Sequence, residues 1–206
     1  PLRLVGSEMC IRDSIKGDKG DPNALFLLEG MMDVIGADVE SGKIKIVGEA
    51  FTDGWKPDNA QKNMEQILTA NNNNVDAVMS ENDGMAGGAI AALQAQGMNI
   101  PVSGQDGDHA ALNRVARGSQ NTSVWKDARQ LGAAAGNIAA SLADGVDMSA
   151  IDGAVKWSGG AKGVEMDAIF LAPTPIDKTN INIVIEAGHI AKAKVCEGAM
   201  AGVNGC

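Results

Sequence analysis

Four side chains in this chain could together grip one small polar molecule: Trp55, Asn82, Asp106 and Lys126. An amide offers a donor and an acceptor, a carboxylate offers acceptors, and an ammonium offers donors. Hydrogen bonds that involve a charged partner are about twice as strong as neutral ones. The flat face of Trp can cover the apolar C–H side of a ring. Such a set suits a neutral ligand that is rich in hydroxyls and apolar on one face, which is the description of a sugar. Each residue alone has a plainer reading. Asn82 or Asp83 reads as the cap of the helix that follows, and so does Asp106. Trp55 reads equally as a core or lid residue, and Lys126 as a solvated surface charge. Their recurrence at successive strand ends is what favours the functional reading.

Those strand ends emerge from the hydrophobic pattern. Asp21-Pro22 opens a helix, with Asp as N-cap and Pro in the first turn. The helix runs through "NALFLLEGMMDVIGADVE" and stops at Ser41-Gly42. "KIKIVGE" (43–49) predicts a strand, followed by a loop that holds Trp55. "PDNAQKNMEQILTA" is helical, with Ala60, Met64, Ile67 and Leu68 on one face. "VDAVMS" is a strand that runs into Glu81-Asn82-Asp83, and residues 84–96 form a helix built mostly from Ala and Gly. "IPVSG" and "NTSVW" are further strands, separated by a short helix ended by Gly118. A long Ala-rich helix follows Lys126, then a strand near "EMDAIFLA" and a short helix near "NIVIEAG".

The βαβα order predicts an α/β fold with a mostly parallel sheet covered on both faces. Ligands of such sheets bind beyond the carboxyl ends of the strands. Trp55, Asn82, Asp106 and Lys126 all fall there. Residues 1–14, "PLRLVGSEMCIRDS", carry neither helical nor strand period. They resemble adapter read-through at the end of a gene fragment and are set apart from the fold, as a tag would be.

Composition narrows the function classes. The chain has 206 residues and a formal net charge of -9, which argues against a nucleic-acid or anionic membrane surface. It is 45% hydrophobic, without an apolar run that would span a bilayer. Two His and three Cys leave little material for a metal site. None of G-x-G-x-x-G, G-x-x-x-x-G-K-[ST], H-E-x-x-H or G-x-S-x-G occurs, so neither an enzyme nor a cofactor is expected. His109 and His189 have no nucleophile in an obvious relation to them, and both are expected to be solvated. A phosphate-accepting receiver domain would need paired acidic residues after its first strand, and none stand there.

The run "SGKIKIVGEAFTDGWKPDNAQKNMEQILTANNNNVDAVMSENDGMAGGAIAALQAQG", with "VSGQDGD", "VWKDARQLG" and "PTPIDKTNINIVI", resembles the bacterial periplasmic D-xylose-binding proteins. These are substrate-binding components of sugar ABC transporters. The resemblance covers nearly everything from Lys16 onward. It implies a periplasmic binding protein fold of type I, with two Rossmann-like lobes that close on one monosaccharide. The same resemblance implies that most of the first lobe is missing here, with 15–126 and 172–206 expected to form the C-terminal sugar-binding lobe and 127–171 a remnant of the other.

By resemblance, Trp55 is the aromatic that stacks on the sugar, Asn82 the "ND" asparagine, Asp106 the "GQD" aspartate and Lys126 the lysine after the crossing strand. Asn23 sits where the family has its "NNA" ligand region. The implied partners are a monosaccharide and membrane permease subunits, with no nucleic acid or membrane insertion. The implied location is the periplasm and the implied state a monomer. The alternative is the effector-binding core of a sugar-responsive repressor.

In an exported protein with Cys10 set aside, Cys196 and Cys206 are the pair expected to form a disulfide, against two free thiols on a frayed tail. The apolar face of the long helix, with Leu131, Ala135, Ile138 and Leu142, is expected to lack its sheet, so the chain should fold poorly and bind sugar weakly by itself.

Overall fold

A computed structural model describes residues 10–160 and 162–206, with side chains from Asp13 onward. Two compact units divide the chain. The first runs to Trp125 and resumes over Pro175–Cys206; the second is Lys126–Thr174.

The first unit is built on a sheet. β1 (Cys10–Lys16) lies between β2 (Ile44–Phe51) and β3 (Ala77–Ser80), parallel to both. β4 (Ser103–Asp106) pairs in parallel with β5 (Thr122–Trp125), and β8 (Thr174–Ile176) adds to the far side of β5. A parallel bridge of Val78 with Val102 and a 2.8 Å bond from Val78 N–H to the Pro101 carbonyl tie β3 to the start of β4. The order is therefore β2-β1-β3-β4-β5-β8.

The strand at the centre of the first half corrects the expectation for residues 1–14. Residues 1–9 lie outside the described residues, but Cys10–Ser14 form most of β1. The physical reason is that a parallel ladder is made by backbone groups, which every residue carries. Two flanking strands can hold a segment whose side chains show no strand pattern. The misfit is visible in the side chains. Asp13 and Ser14 are fully buried, and neither Asp13 carboxylate oxygen nor the Ser14 hydroxyl has a hydrogen-bond partner. Among the described side chains of this strand, from Asp13 onward, Ile15 is the one that joins the apolar core.

Helices cover the sheet. α1 (Pro22–Glu40) starts as the sequence predicts, with Asp21 accepting from Asn23 N–H at 2.9 Å, but it buries only Ala24. α2 (Pro57–Ala70) buries Ala60, Met64, Ile67 and Leu68, the face read from its period. α3 (Asp83–Ala95) lies against α2. At Gly88 the helices approach so closely that a β-carbon would strike the Pro57 carbonyl, which explains the small residues of this helix. Burial of Met64, Leu68, Met85 and Leu93 at this contact is worth about 1.5–3 kcal/mol for each side chain.

α4 (His109–Arg117) ends at Gly118 in the left-handed region, φ 78. A second core joins its Leu112 and Val115 to Trp125, Ile176, Val184 and Val195. α6 (Asn182–Glu186) and α7 (Lys192–Val195) belong to this core, and a bond between Cys196 and Cys206 closes the segment, with Cα atoms 5.4 Å apart.

The second unit holds α5 (Ala128–Ala143) and an antiparallel hairpin of β6 (Val155–Trp157) with β7 (Met166–Ala168). An ion pair of Lys156 with Asp167 at 2.8 Å and an edge-on contact of Trp157 with Phe170 hold the hairpin. No α5 residue is buried, and Leu131 and Leu142 are 48% and 47% exposed.

Candidate functional site

The three residues after β3 brace the strand ends on either side of it. Glu81 is fully buried and turns toward β1, where its Oε2 accepts the Gly17 N–H at 2.6 Å. Asp83, also buried, turns the other way. Its Oδ2 accepts the N–H groups of Gly107 and Asp108, each at 2.9 Å, and the Ser123 hydroxyl at 2.5 Å. Its Oδ1 accepts from the Gln120 amide at 2.8 Å, and its backbone carbonyl accepts from Arg114 at 2.7 Å. Asn82 lies between the two and caps α3, accepting Met85 N–H at 2.8 Å.

The two carboxylates of this triplet are thus structural anchors rather than exposed ligands. Burial pushes the Glu81 carboxyl up to about 7 against the opposing pull of the Gly17 N–H and the Lys16 charge. Burial also raises Asp83, opposed by its bonds from Ser123, Asp108 N–H and Gln120.

Trp55 stands on the β1 side of this brace. A short 3-10 turn, Asp53–Trp55, carries it after β2. The turn is tied to the end of β1 by Thr52 N–H to the Gly17 carbonyl at 3.0 Å and Gly54 N–H to Asp18 Oδ2 at 2.6 Å. The indole ring lies so close to Gly17 that a β-carbon there would clash with it, 2.1–2.4 Å from three ring atoms. Asp106 stands on the other side, at the end of β4, one residue before the Gly107 turn that Asp83 holds.

Backbone strain marks the same two residues. Among the described residues, those other than Gly with positive φ are Trp55 (58), Asn72 (52), Asn73 (60) and Asp106 (115). Asn tolerates the left-handed region, and the two asparagines turn a loop between α2 and β3. A Trp there, or an Asp at φ 115, costs on the order of 1–3 kcal/mol and persists only where neighbours over-determine it. The strain therefore gathers at the two candidate residues that flank the brace.

The other candidates are placed as follows. Asn23 is exposed at the start of α1, with its amide donating to Asp21 at 2.9 Å. Lys126 is exposed and opens the second unit, directly after buried Trp125. The expectation of two solvated histidines is corrected for His189. It is half-buried, its Nε2 lies 2.7 Å from the Gly107 carbonyl, and its ring packs 5.2 Å from that of Trp125. His109 is exposed but bonds the His189 carbonyl at 2.9 Å. No sequence signal pointed to this pairing, because the partners lie 80 and 82 residues apart. Among the described residues no group of three or more His, Cys, Asp or Glu is placed to hold a metal ion.

Comparison with known proteins gives the same direction. The family model described as "Periplasmic binding protein domain" matches residues 9–147. The chain is 43% identical over 175 residues to the D-xylose-binding periplasmic protein of Escherichia coli K12, covering 84% of this chain and 52% of the relative. It is 41% identical over 182 residues to the protein of the same name from Haemophilus influenzae, covering 87% and 53%. The chain thus spans about half the length of these relatives, which are binding proteins by name. Among solved structures, an ABC transporter solute-binding protein from Clostridium phytofermentans with bound β-D-glucose matches with a TM-score of 0.80 at 26% identity, over 93% of this chain and 62% of that one. A solute-binding protein from Chloroflexus aurantiacus in complex with D-glucose matches with a TM-score of 0.81 over 93% of this chain and 63% of that one; at 20% identity it shows the fold. With a parallel sheet, a braced rim at the carboxyl ends of its strands and a family model matched over most of its length, the chain belongs to the periplasmic binding protein family.

Proposed function

We propose that this chain is part of the substrate-binding component of a sugar ABC transporter and takes D-xylose or a closely related pyranose. The observation that carries the reading is the 43% identity to a D-xylose-binding periplasmic protein. The geometry supports it: Trp55 and Asp106 are held in strained backbone on either side of Asn82, at the end of the sheet where this fold binds ligands. In this reading Trp55 covers the apolar face of the sugar. Asn82 and Asp106 pair with its hydroxyls, with Asn23 and Lys126 as further ligands. The stretch 15–126 with 172–206 is the sugar-binding lobe, and 127–171 is a piece of the other lobe. The protein works as a monomer in the periplasm and delivers its sugar to membrane permease subunits.

Calorimetry with a panel of pentoses, hexoses, amino acids and nucleotides tests this, on the chain and on a version extended upstream to the length of its relatives. The extended version is expected to bind D-xylose in the micromolar range, equivalent to about -8 kcal/mol. Asp106→Ala and Lys126→Met are each expected to weaken binding by about tenfold or more with little change in melting temperature. Heat with amino acids or nucleotides and none with any sugar would overturn the assignment.

A further inference from the structure

The turn after Asp106 is gripped from two opposite sides. Asp83 and Ser123 hold its N–H groups: Gly107 N–H reaches Asp83 at 2.9 Å and Ser123 at 3.0 Å, and Asp108 N–H reaches Asp83 at 2.9 Å. His189 holds its carbonyl, with Nε2 2.7 Å from the Gly107 oxygen. A carbonyl only accepts, so the proton of this imidazole sits on Nε2. Two consecutive peptide planes, 106–107 and 107–108, are therefore fixed. The first takes its N–H bonds from one side; the second is bonded through both its N–H and its C=O.

His189 is itself held. Its carbonyl accepts from His109 at 2.9 Å, the two imidazoles meet edge-on at 5.1 Å, and the Trp125 ring lies 5.2 Å away. Gly107 needs its missing side chain twice over. Its φ is 79, and a β-carbon would collide with Trp125. Asp106 sits at the edge of the first fixed plane with φ 115, a conformation that relaxes unless its neighbours prevent it.

We propose that His189, acting opposite Asp83, is a positioning residue that aims the Asp106 carboxylate at the ligand. The segment between α6 and α7 thereby takes part in ligand recognition without touching the ligand. The functional consequence rests on the sugar-binding reading of Asp106; the positioning itself does not.

The variants His189→Phe and His189→Gln separate the donor from the ring. Phe keeps a ring against Trp125 and His109 but cannot donate. Gln keeps an N–H donor and loses the ring. Amide hydrogen exchange of Gly107 and Asp108, read by NMR on the chain, reports the turn. D-xylose affinity of the upstream-extended version reports the consequence. His189→Phe is expected to speed exchange at both amides and weaken xylose binding, each by about fivefold to tenfold, the effect of one lost hydrogen bond. His189→Gln is expected to restore most of both. Unchanged exchange in His189→Phe would overturn the proposal. So would faster exchange with undiminished xylose affinity. If the unaltered extended protein binds no sugar, the sugar reading fails, and the exchange data still decide whether His189 holds the turn.

Discussion

Asp13 is the clearest weak point of the first unit. It sits in the central strand of the β2-β1-β3 sheet, fully buried, with no partner for either carboxylate oxygen. Its neighbour on the same strand face is Ile15, part of the core with Met64 and Met85. Burial pushes the carboxyl up from 3.8 to about 7. The unfolded chain has an ordinary carboxyl, so between about pH 4 and 7 the folded chain binds more protons than the unfolded one. Stability therefore falls as pH rises through that window, and the penalty is complete above it. A gap from 3.8 to about 7 corresponds to about 4 kcal/mol at most, against a total domain stability of about 5–15 kcal/mol.

Asp13→Val removes the buried charge, adds apolar contact beside Ile15 and suits a strand. Urea unfolding followed by Trp fluorescence at pH 4.5 and pH 8 measures the effect. A gain of about 3–4 kcal/mol is expected at pH 8 and a much smaller one at pH 4.5. An equal gain at both pH values would show that packing, not charge, is the cause. No gain at pH 8 would refute the reasoning altogether.

Two further outcomes follow from the same structure. Glu81, raised to about 7 by burial, contributes to the same loss of stability as pH rises from about 4.5 to 7. Glu81→Gln keeps an acceptor for Gly17 N–H and should flatten that slope in part, with Asp13 and the other carboxyls raised by burial, Asp83 and Asp108, supplying the remainder; an unaltered slope in the same urea series would show that Glu81 does not titrate there. The Cys196–Cys206 bond closes a short loop, and its reduction should remove about 2–3 kcal/mol from the segment that docks Val195 and Val203. Thiol titration of unfolded, unreduced protein should find one free thiol, Cys10; three would refute the bridge.

The sequence by itself determined the α/β class, the parallel order, the α2 face and the strand ends on which Trp55, Asn82 and Asp106 stand. These depend on short-range period and capping: Ala60, Met64, Ile67 and Leu68 recur at helical spacing, and Asp21-Pro22 starts a helix wherever it falls. It could also mark the family, because the resemblance is carried by motifs that are each a contiguous string of residues. It missed β1, since Cys10–Ser14 are held by the backbones of two flanking strands and carry no apolar pattern of their own. It could not divide the labour within Glu81-Asn82-Asp83. Three adjacent polar residues look alike in sequence, and only the positions of Gly17 and Gly107 decide that Glu81 braces β1, Asp83 braces β4 and Asn82 caps α3. It could not show the strain at Trp55 and Asp106 or the hold of His189 on the Gly107 carbonyl. The bonds of Gly54 with Asp18 and of His189 with Gly107 join segments 36 and 82 residues apart, and a bond across such a distance exists only when the whole sheet has brought both ends together.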